Sequence, residues 1–178
     1  TTDKAVDIYT DSPEWLEQNK KSTLNFIRKW GDIVKHDEYM KPTVTPKYNI
    51  GFIVLNPDGA DPRHIMAIEP WCTNLYTDMD LTEYIEAEQK NTMFNMSDRI
   101  LPMDAESTND VIVEINMSNF NNTQFVALQS LPQILQSASE DGEVTGQFDL
   151  LGMRILVNRL NRLEHALIRN TRPTIKMN

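Results

Sequence analysis

The chain has 178 residues, a 40% apolar fraction and an 8% aromatic fraction, which is typical of a folded domain and not of a disordered chain. It has no apolar run near the roughly 18 residues of a membrane-spanning helix, and its polar, acidic start is unlike a signal peptide. Cys72 is the only cysteine, which excludes an intrachain disulfide and a cysteine metal cluster. We predict one domain over residues 1–178.

The net charge of −9 is distributed unevenly. From Asp149 onward there are six basic and two acidic side chains, a local charge of +4, whereas the preceding 148 residues have 11 basic and 24 acidic side chains, or −13. The basic end has three interpretations: it covers its own subunit's acidic body, it meets a neighbouring copy, or it binds nucleic acid. The third is the weakest, because an acidic body repels nucleic acid.

The first predicted element is an amphipathic helix over about residues 13–35. Ser12 or Asp11 as N-cap, Pro13 in the first turn and Glu14 are typical of a helix start, and Gly31 indicates a bend or an early end. We expect its apolar face to pack in the core; the face consists of Trp15, Leu16, Phe26, Ile27, Trp30, Ile33 and Val34.

The middle of the chain predicts two hairpins. Residues 49–55 are apolar on both faces, which is typical of a central strand, and residues 56–59 form a turn before a returning strand at 63–68. A strand at 110–117 and a return at 124–129 form the second hairpin, with a short helix from Ser130 and a further strand at 144–148.

Between the hairpins, a capping box at Asp80 and Glu83 predicts a short helix to about Lys90. Residues 91–109 have weak periodicity, and we predict that they form an arm or contact loop.

The last predicted element is a long helix over residues 150–169, with an apolar stripe at a spacing of three and four residues. Glu164 falls inside this stripe, so either the helix reaches water there or the carboxylate pairs across a subunit contact. Leu151 and Ile155 point away from the stripe. The residues predicted to form an interface are Leu151, Ile155, Arg159, Arg162, Glu164, Arg169 and Arg172.

These elements together predict an α+β fold, with an antiparallel sheet of four to five strands in two hairpins. Long amphipathic N- and C-terminal helices are expected to pack against that sheet.

The patterns that carry chemistry are weak. Asp78 and Asp80 form an Asp-x-Asp pair of the kind that holds Mg²⁺ or Mn²⁺ against a diphosphate in nucleotide-sugar transferases, but a capping role explains Asp80 without a cation. Turn chemistry likewise explains Asp58 and Asp61, next to His64. Cys72 lacks a basic neighbour in sequence, which favours an inert thiol over a nucleophile. The sequence therefore predicts no catalytic residue, no cofactor and no metal site.

The function that we predict is a non-enzymatic structural or assembly subunit that contacts copies of itself and other structural proteins. Its Asn- and Met-rich, Cys-poor composition favours a virion component of a tailed bacteriophage, of head–tail connector, tail-completion or baseplate type, assembled in the host cytoplasm. A cytoplasmic location is the alternative. Two other functions stay open: a metal-dependent transferase that uses Asp78 and Asp80, and a regulatory module that binds an acidic protein partner.

Overall fold

The structure is a computed structural model that describes residues 12–43, 45–142 and 144–161. Its centre is a six-stranded mixed sheet, accompanied by a separate two-stranded ribbon. The ribbon strands are β1 (Lys35–His36) and β2 (Pro42–Thr43), and the sheet strands are β3 (Ile50–Leu55), β4 (Asn74–Tyr76), β5 (Ile100–Leu101), β6 (Val111–Asn116), β7 (Gly146–Leu150) and β8 (Met153–Val157). The described helices are α1 (Pro13–Trp30), α2 (Pro62–Ile68), α3 (Thr82–Gln89), α4 (Met96–Arg99) and α5 (Asn122–Glu140), and a 3-10 turn follows α2 at Glu69–Trp71.

The order of the sheet is β5-β4-β3-β6-β8-β7, and its first four strands run parallel. Only the β6–β8 and β7–β8 pairings within it are antiparallel. The predicted antiparallel sheet with long terminal helices is therefore wrong. Parallel neighbours need crossover connections, and α2 supplies the one between β3 and β4. The prediction of a central strand at 49–55 is confirmed, because β3 lies between β4 and β6.

One face of the sheet forms the core. Side chains of β3, β6 and β8 on this face are fully buried and cluster with residues of α2 and α5, such as Ile65 and Leu131. The registers place Phe52, Val113 and Ile155 side by side on it. This row of paired, buried side chains fixes the register of the three strands, since a one-residue slip of a strand would turn its apolar side chains to the other face.

Two segments predicted as returning strands are helices. Residues 63–68 lie in α2, whose N-cap is Asp61 and whose first residue is Pro62. Residues 124–129 lie in α5, which begins with a capping box between Asn121 and Gln124. Both starts satisfy otherwise unpaired amide groups of the first helical turn. These local contacts favour a helix over a strand. In place of each predicted hairpin, the structure therefore has a strand followed by a helix.

The start of the predicted C-terminal helix is a β-hairpin. Residues 150–157 form the end of β7, a turn at Leu151 and Gly152, and β8. Leu151 has a positive φ of 55° and Gly152 one of 81°, and the Asp149 side chain accepts a hydrogen bond from the Gly152 amide at 3.0 Å. Left-handed residues of this kind interrupt a helix and are frequent in tight turns. The rest of the predicted helix, from residue 162, lies outside the described residues.

The segment predicted as an arm or contact loop contains α4 and β5 and then returns across the sheet to β6. Its last part is held by Asn109, whose amide nitrogen donates to Asn49 at 2.7 Å and to Asn74 at 2.9 Å. The Asn109 side-chain oxygen accepts from the Tyr76 hydroxyl at 2.7 Å. The Asn109 side chain therefore lies over the second face of the sheet at Gly51.

Candidate interaction surface

Helix α1 presents large apolar side chains to solvent. It begins at Ser12, whose hydroxyl accepts a hydrogen bond from the Trp15 amide, and it ends at the left-handed Gly31. Only Ile27 and Arg28 of this helix are buried. The face that was expected to pack in the core is thus largely uncovered. Five of its side chains, between 36 and 53% exposed, define what we call the α1 surface: Trp15, Leu16, Phe26, Ile33 and Val34.

The α1 surface is concave where the helix meets the ribbon. A groove of 220 Å³ runs between Phe26 and Trp30 on one side and Pro42 and Thr43 of β2 on the other. A second depression of 340 Å³ shares Phe26, Ile33 and Val34 with it. Contiguous exposed apolar groups with a concave shape are typical of binding sites for other proteins.

The end of α1 is fastened to the body by a buried group of charges. Arg28 is fully buried and donates to the Glu69 carboxylate, at 2.7 Å from Nη2 and 3.1 Å from Nε, and to Glu88 at 2.8 Å. Glu69 also accepts from Arg99 at 2.6 Å and from the Tyr84 hydroxyl at 2.9 Å. We call these five residues the Glu69 network. Burial alone would raise the pKa of Glu69, but the charges of Arg99 and Arg28 hold it below its ordinary value.

A lysine side chain caps the C-terminal end of α1. The Lys47 ammonium donates to the carbonyl oxygens of Arg28 at 2.6 Å and Lys29 at 3.2 Å. Cations are favourable at this end of a helix. Burial, together with the charge of Arg99, nevertheless lowers the pKa of Lys47 to about 8. The last turn of α1 is therefore firmly held, while residues 13–20 are all exposed.

The unpaired basic side chains of the described residues are gathered around α1. Each arginine and lysine in this part of the chain has an acidic partner or, for Lys47, carbonyl partners, except for four exposed lysines. Two are on α1 itself, one is in the turn of the ribbon, and the fourth, Lys90, directly follows α3 and faces α1 across a groove of 450 Å³ that Lys29 and Met93 also line. We call them the lysine cluster: Lys20, Lys29, Lys41 and Lys90.

The residues predicted to form an interface are dispersed. Leu151 is exposed at the β7–β8 turn, whereas Ile155 is fully buried in the core. Arg159 forms an ion pair with Asp110 of its own chain, which agrees with the interpretation that the basic end covers its own subunit. The other predicted positions, Arg162, Glu164, Arg169 and Arg172, lie outside the described residues.

No relative identifies this surface. Comparison with protein-family models, with curated proteins and with solved structures finds no match for the chain. No helix among the described residues is long and apolar enough to cross a membrane.

Asp78 and Asp80 follow β4, at the carboxyl edge of the parallel strands where α/β proteins commonly bind ligands. Both carboxylates are engaged locally. Asp78 accepts from the Met103 amide at 3.3 Å, and Asp80 accepts from the amide and the hydroxyl of Thr82 at 3.0 and 2.6 Å. The Thr82 hydrogen bonds hold the pKa of Asp80 below its ordinary value. The predicted helix is present as α3, but without the predicted capping box: the Thr82 amide donates to the Asp80 carboxylate.

The carboxyl edge also has a depression of 270 Å³ between α2 and α5, lined by His64, Phe120 and Phe125 among others. Two of the polar side chains in or beside it are occupied: Asp61 pairs with Arg63, and the Asn121 side chain accepts from the Gln124 amide. Hydrogen bonding by Arg63 lowers the pKa of Asp61 to about 2. Within the described part of the chain, no group of three His, Cys, Asp or Glu side chains could hold a metal ion.

Cys72 is fully enclosed, and burial raises the pKa of its thiol to about 12. Because the thiolate is the reactive form, we expect no reaction of the native protein with a thiol reagent at neutral pH. One thiol per chain should become reactive in denaturant. Rapid labelling of the native protein would contradict the closed packing around Cys72. An unreactive native thiol would also allow a single introduced cysteine to be labelled selectively.

Proposed function

We propose that this chain is a non-enzymatic subunit of a protein assembly, and that it joins neighbouring copies through the α1 surface. The observation that supports this proposal best is the exposure of Trp15, Leu16 and Phe26 on a helix whose end is rigidly fastened to a closed core. Aromatic side chains on a fixed helix are suited to an interface, because they bury a large area at a small cost in conformational entropy.

The energetic size of such a contact can be estimated from the side chains. Complete burial of one large apolar side chain contributes about 1.5–3 kcal/mol. The α1 surface has five such side chains, each already partly covered. Their combined burial is enough to offset part of the cost of association, provided that a polar rim completes the contact.

Replacing both Trp15 and Phe26 with glutamine is expected to weaken association by about a hundredfold or more, because roughly 3 kcal/mol of apolar burial is lost. Sedimentation equilibrium over a range of protein concentrations would measure the change in native mass. The fold should persist, since both side chains are substantially exposed within the subunit.

Two matched controls locate the contact. Val126→Gln makes the same kind of change at a side chain that is 49% exposed on α5, and it should leave the native mass unchanged. Leu151→Gln tests the interface predicted from the sequence at the β7–β8 turn. A wild-type protein that stays monomeric at all concentrations would refute the proposed function. If only Leu151→Gln lowered the native mass, the contact would lie at the β7–β8 turn and not at the α1 surface.

The assignment to a virion component of a tailed bacteriophage is the finer part of this proposal, and its support is composition alone. The two alternatives have less support. A transferase would need Asp78 and Asp80 to give up the hydrogen bonds that now occupy them. It predicts cation binding that disappears in Asp78→Asn. A regulatory module that binds an acidic partner through the C-terminal arginines would use Arg159, which already pairs with Asp110, and Arg162, Arg169 and Arg172, which lie outside the described residues.

A further inference from the structure

We infer that the α1 surface, with the lysines beside it, meets the acidic face of α3 on a second copy of this chain. This inference rests on the proposed function and names the surface that α1 meets. The acidic face of α3 consists of Glu83 and Glu86, together with Asp80 just before the helix, and all three are exposed.

The first support is the position of the lysine cluster. In a chain with net charge −9, the unpaired exposed cations of the described residues all lie on or beside α1. Residues 13–47 have seven basic and five acidic side chains, a net charge of +2, whereas residues 48–148 have three basic and 16 acidic side chains, or −13. The α1 region is thus complementary in charge to the body of another copy.

The second support is the character of α3. It has no buried residue over its whole length, and among its acids only Glu88 has a side-chain partner in the described residues, within the Glu69 network. Glu83 and Glu86 are one turn apart and form no ion pair with any described residue. Like charges placed three residues apart on a helix repel each other. A contact that brings lysines to this face relieves that repulsion.

The charges disfavour a contact of α1 with α1. Pairing α1 surfaces with each other brings the lysine clusters of two copies together, which costs energy. Joining the α1 surface to α3 of another copy uses two different patches. Such a contact forms either a two-fold dimer, in which each α1 meets the other copy's α3, or a head-to-tail ring or filament.

Charge reversal on each side of the contact tests this geometry. The variant Lys20→Glu/Lys29→Glu, which changes α1 alone, and the variant Glu83→Lys/Glu86→Lys should each associate about tenfold or more weakly than the wild type, because each replaces two attractive pairs with repulsive ones. An equimolar mixture of the two variants should associate again, since the reversed patches complement each other. Native mass at low salt is the measurement, with melting temperature as the check on folding.

The matched control is Glu140→Lys/Asp141→Lys, which changes the net charge by the same amount at exposed acids at the end of α5. It should associate like the wild type. If Glu83→Lys/Glu86→Lys keeps the wild-type mass while Lys20→Glu/Lys29→Glu loses it, the α1 surface binds something other than α3, and this inference is overturned while the proposed function survives. A mixture that fails to reassociate also overturns the inference, whereas a monomeric wild type refutes the proposed function itself.

Discussion

Replacing Glu69 with glutamine is expected to lower the free energy of unfolding by about 3–5 kcal/mol, the cost of leaving buried charges without their partner. Glutamine keeps the shape and can still accept one hydrogen bond from each arginine. It removes the negative charge that faces Arg28 and Arg99, which are both buried. Chemical denaturation followed by tryptophan fluorescence would measure the loss.

The matched control is Glu114→Gln, which removes the partner of Arg154 on the exposed second face of the sheet. Solvent screens that pair, so a much smaller effect is expected. Equal effects of the two substitutions would contradict the view that burial sets the strength of the Glu69 network. Because Arg28 is the main buried attachment of α1, Glu69→Gln should also expose the end of that helix to hydrogen exchange.

The contribution of Glu69 to the free energy of unfolding should depend on pH with a definite sign. The pKa of Glu69 is lower in the folded protein than its ordinary value, so the unfolded chain binds more protons as the pH falls. The contribution of the carboxylate is complete above about pH 4.3, the ordinary value for glutamate, and is lost as the pH falls through the lowered folded value. The stability difference between the wild type and Glu69→Gln should therefore narrow in acid, and a constant difference down to low pH would contradict this assignment.

The sequence predicted the elements whose signals are local. The start of α1 at Ser12, the central strand β3, the strand β6 and the helix α3 follow from capping residues and from runs of apolar residues. The direction of β6 is not a local property, since it depends on what the chain does between β3 and β6. Once the segments after β3 and β6 were interpreted as returning strands, an antiparallel sheet followed.

Two available signals would have corrected that interpretation. Asp61-Pro62 has a capping residue followed by proline at the first helical position, and Asn121-x-x-Gln124 is a capping box. Both are the same kind of signal that identified α1. In each case a short apolar run suggested a strand, although such runs do not distinguish a strand from a buried helix.

The C-terminal hairpin shows a different limit of prediction from sequence. Met153, Leu156 and Leu160 fit a helical spacing, but Met153, Ile155 and Val157 fit a strand equally well. The structure selects the strand because β8 completes the core face next to β6. The exposure of the α1 surface could not be predicted from the sequence either. An apolar stripe predicts that a helix face is buried, but not whether it packs against the same subunit or against another one.

Replacing Gly51 with alanine is expected to destabilise the protein, because the Asn109 side chain lies directly over this position. A Cβ at this position would lie 2.8 Å from Cγ of Asn109, closer still to its side-chain oxygen, and 3.1 Å from the Tyr76 ring. Asn109 cannot move freely, since it is bonded to Asn49, Asn74 and Tyr76. Overpacking of this kind costs about 1–3 kcal/mol, and lost hydrogen bonds add to it.

A double-mutant cycle separates the steric effect from the preference of the strand itself. Asn109→Ala removes the obstructing side chain at the expense of its hydrogen bonds. In that background, Gly51→Ala should cost much less than in the wild type, with a coupling energy of about 1–3 kcal/mol between the two positions. Denaturant midpoints of the four proteins provide the measurement. If Gly51→Ala lowered the free energy of unfolding by the same amount in both backgrounds, the strand itself, and not the Asn109 side chain above it, would require glycine at this position.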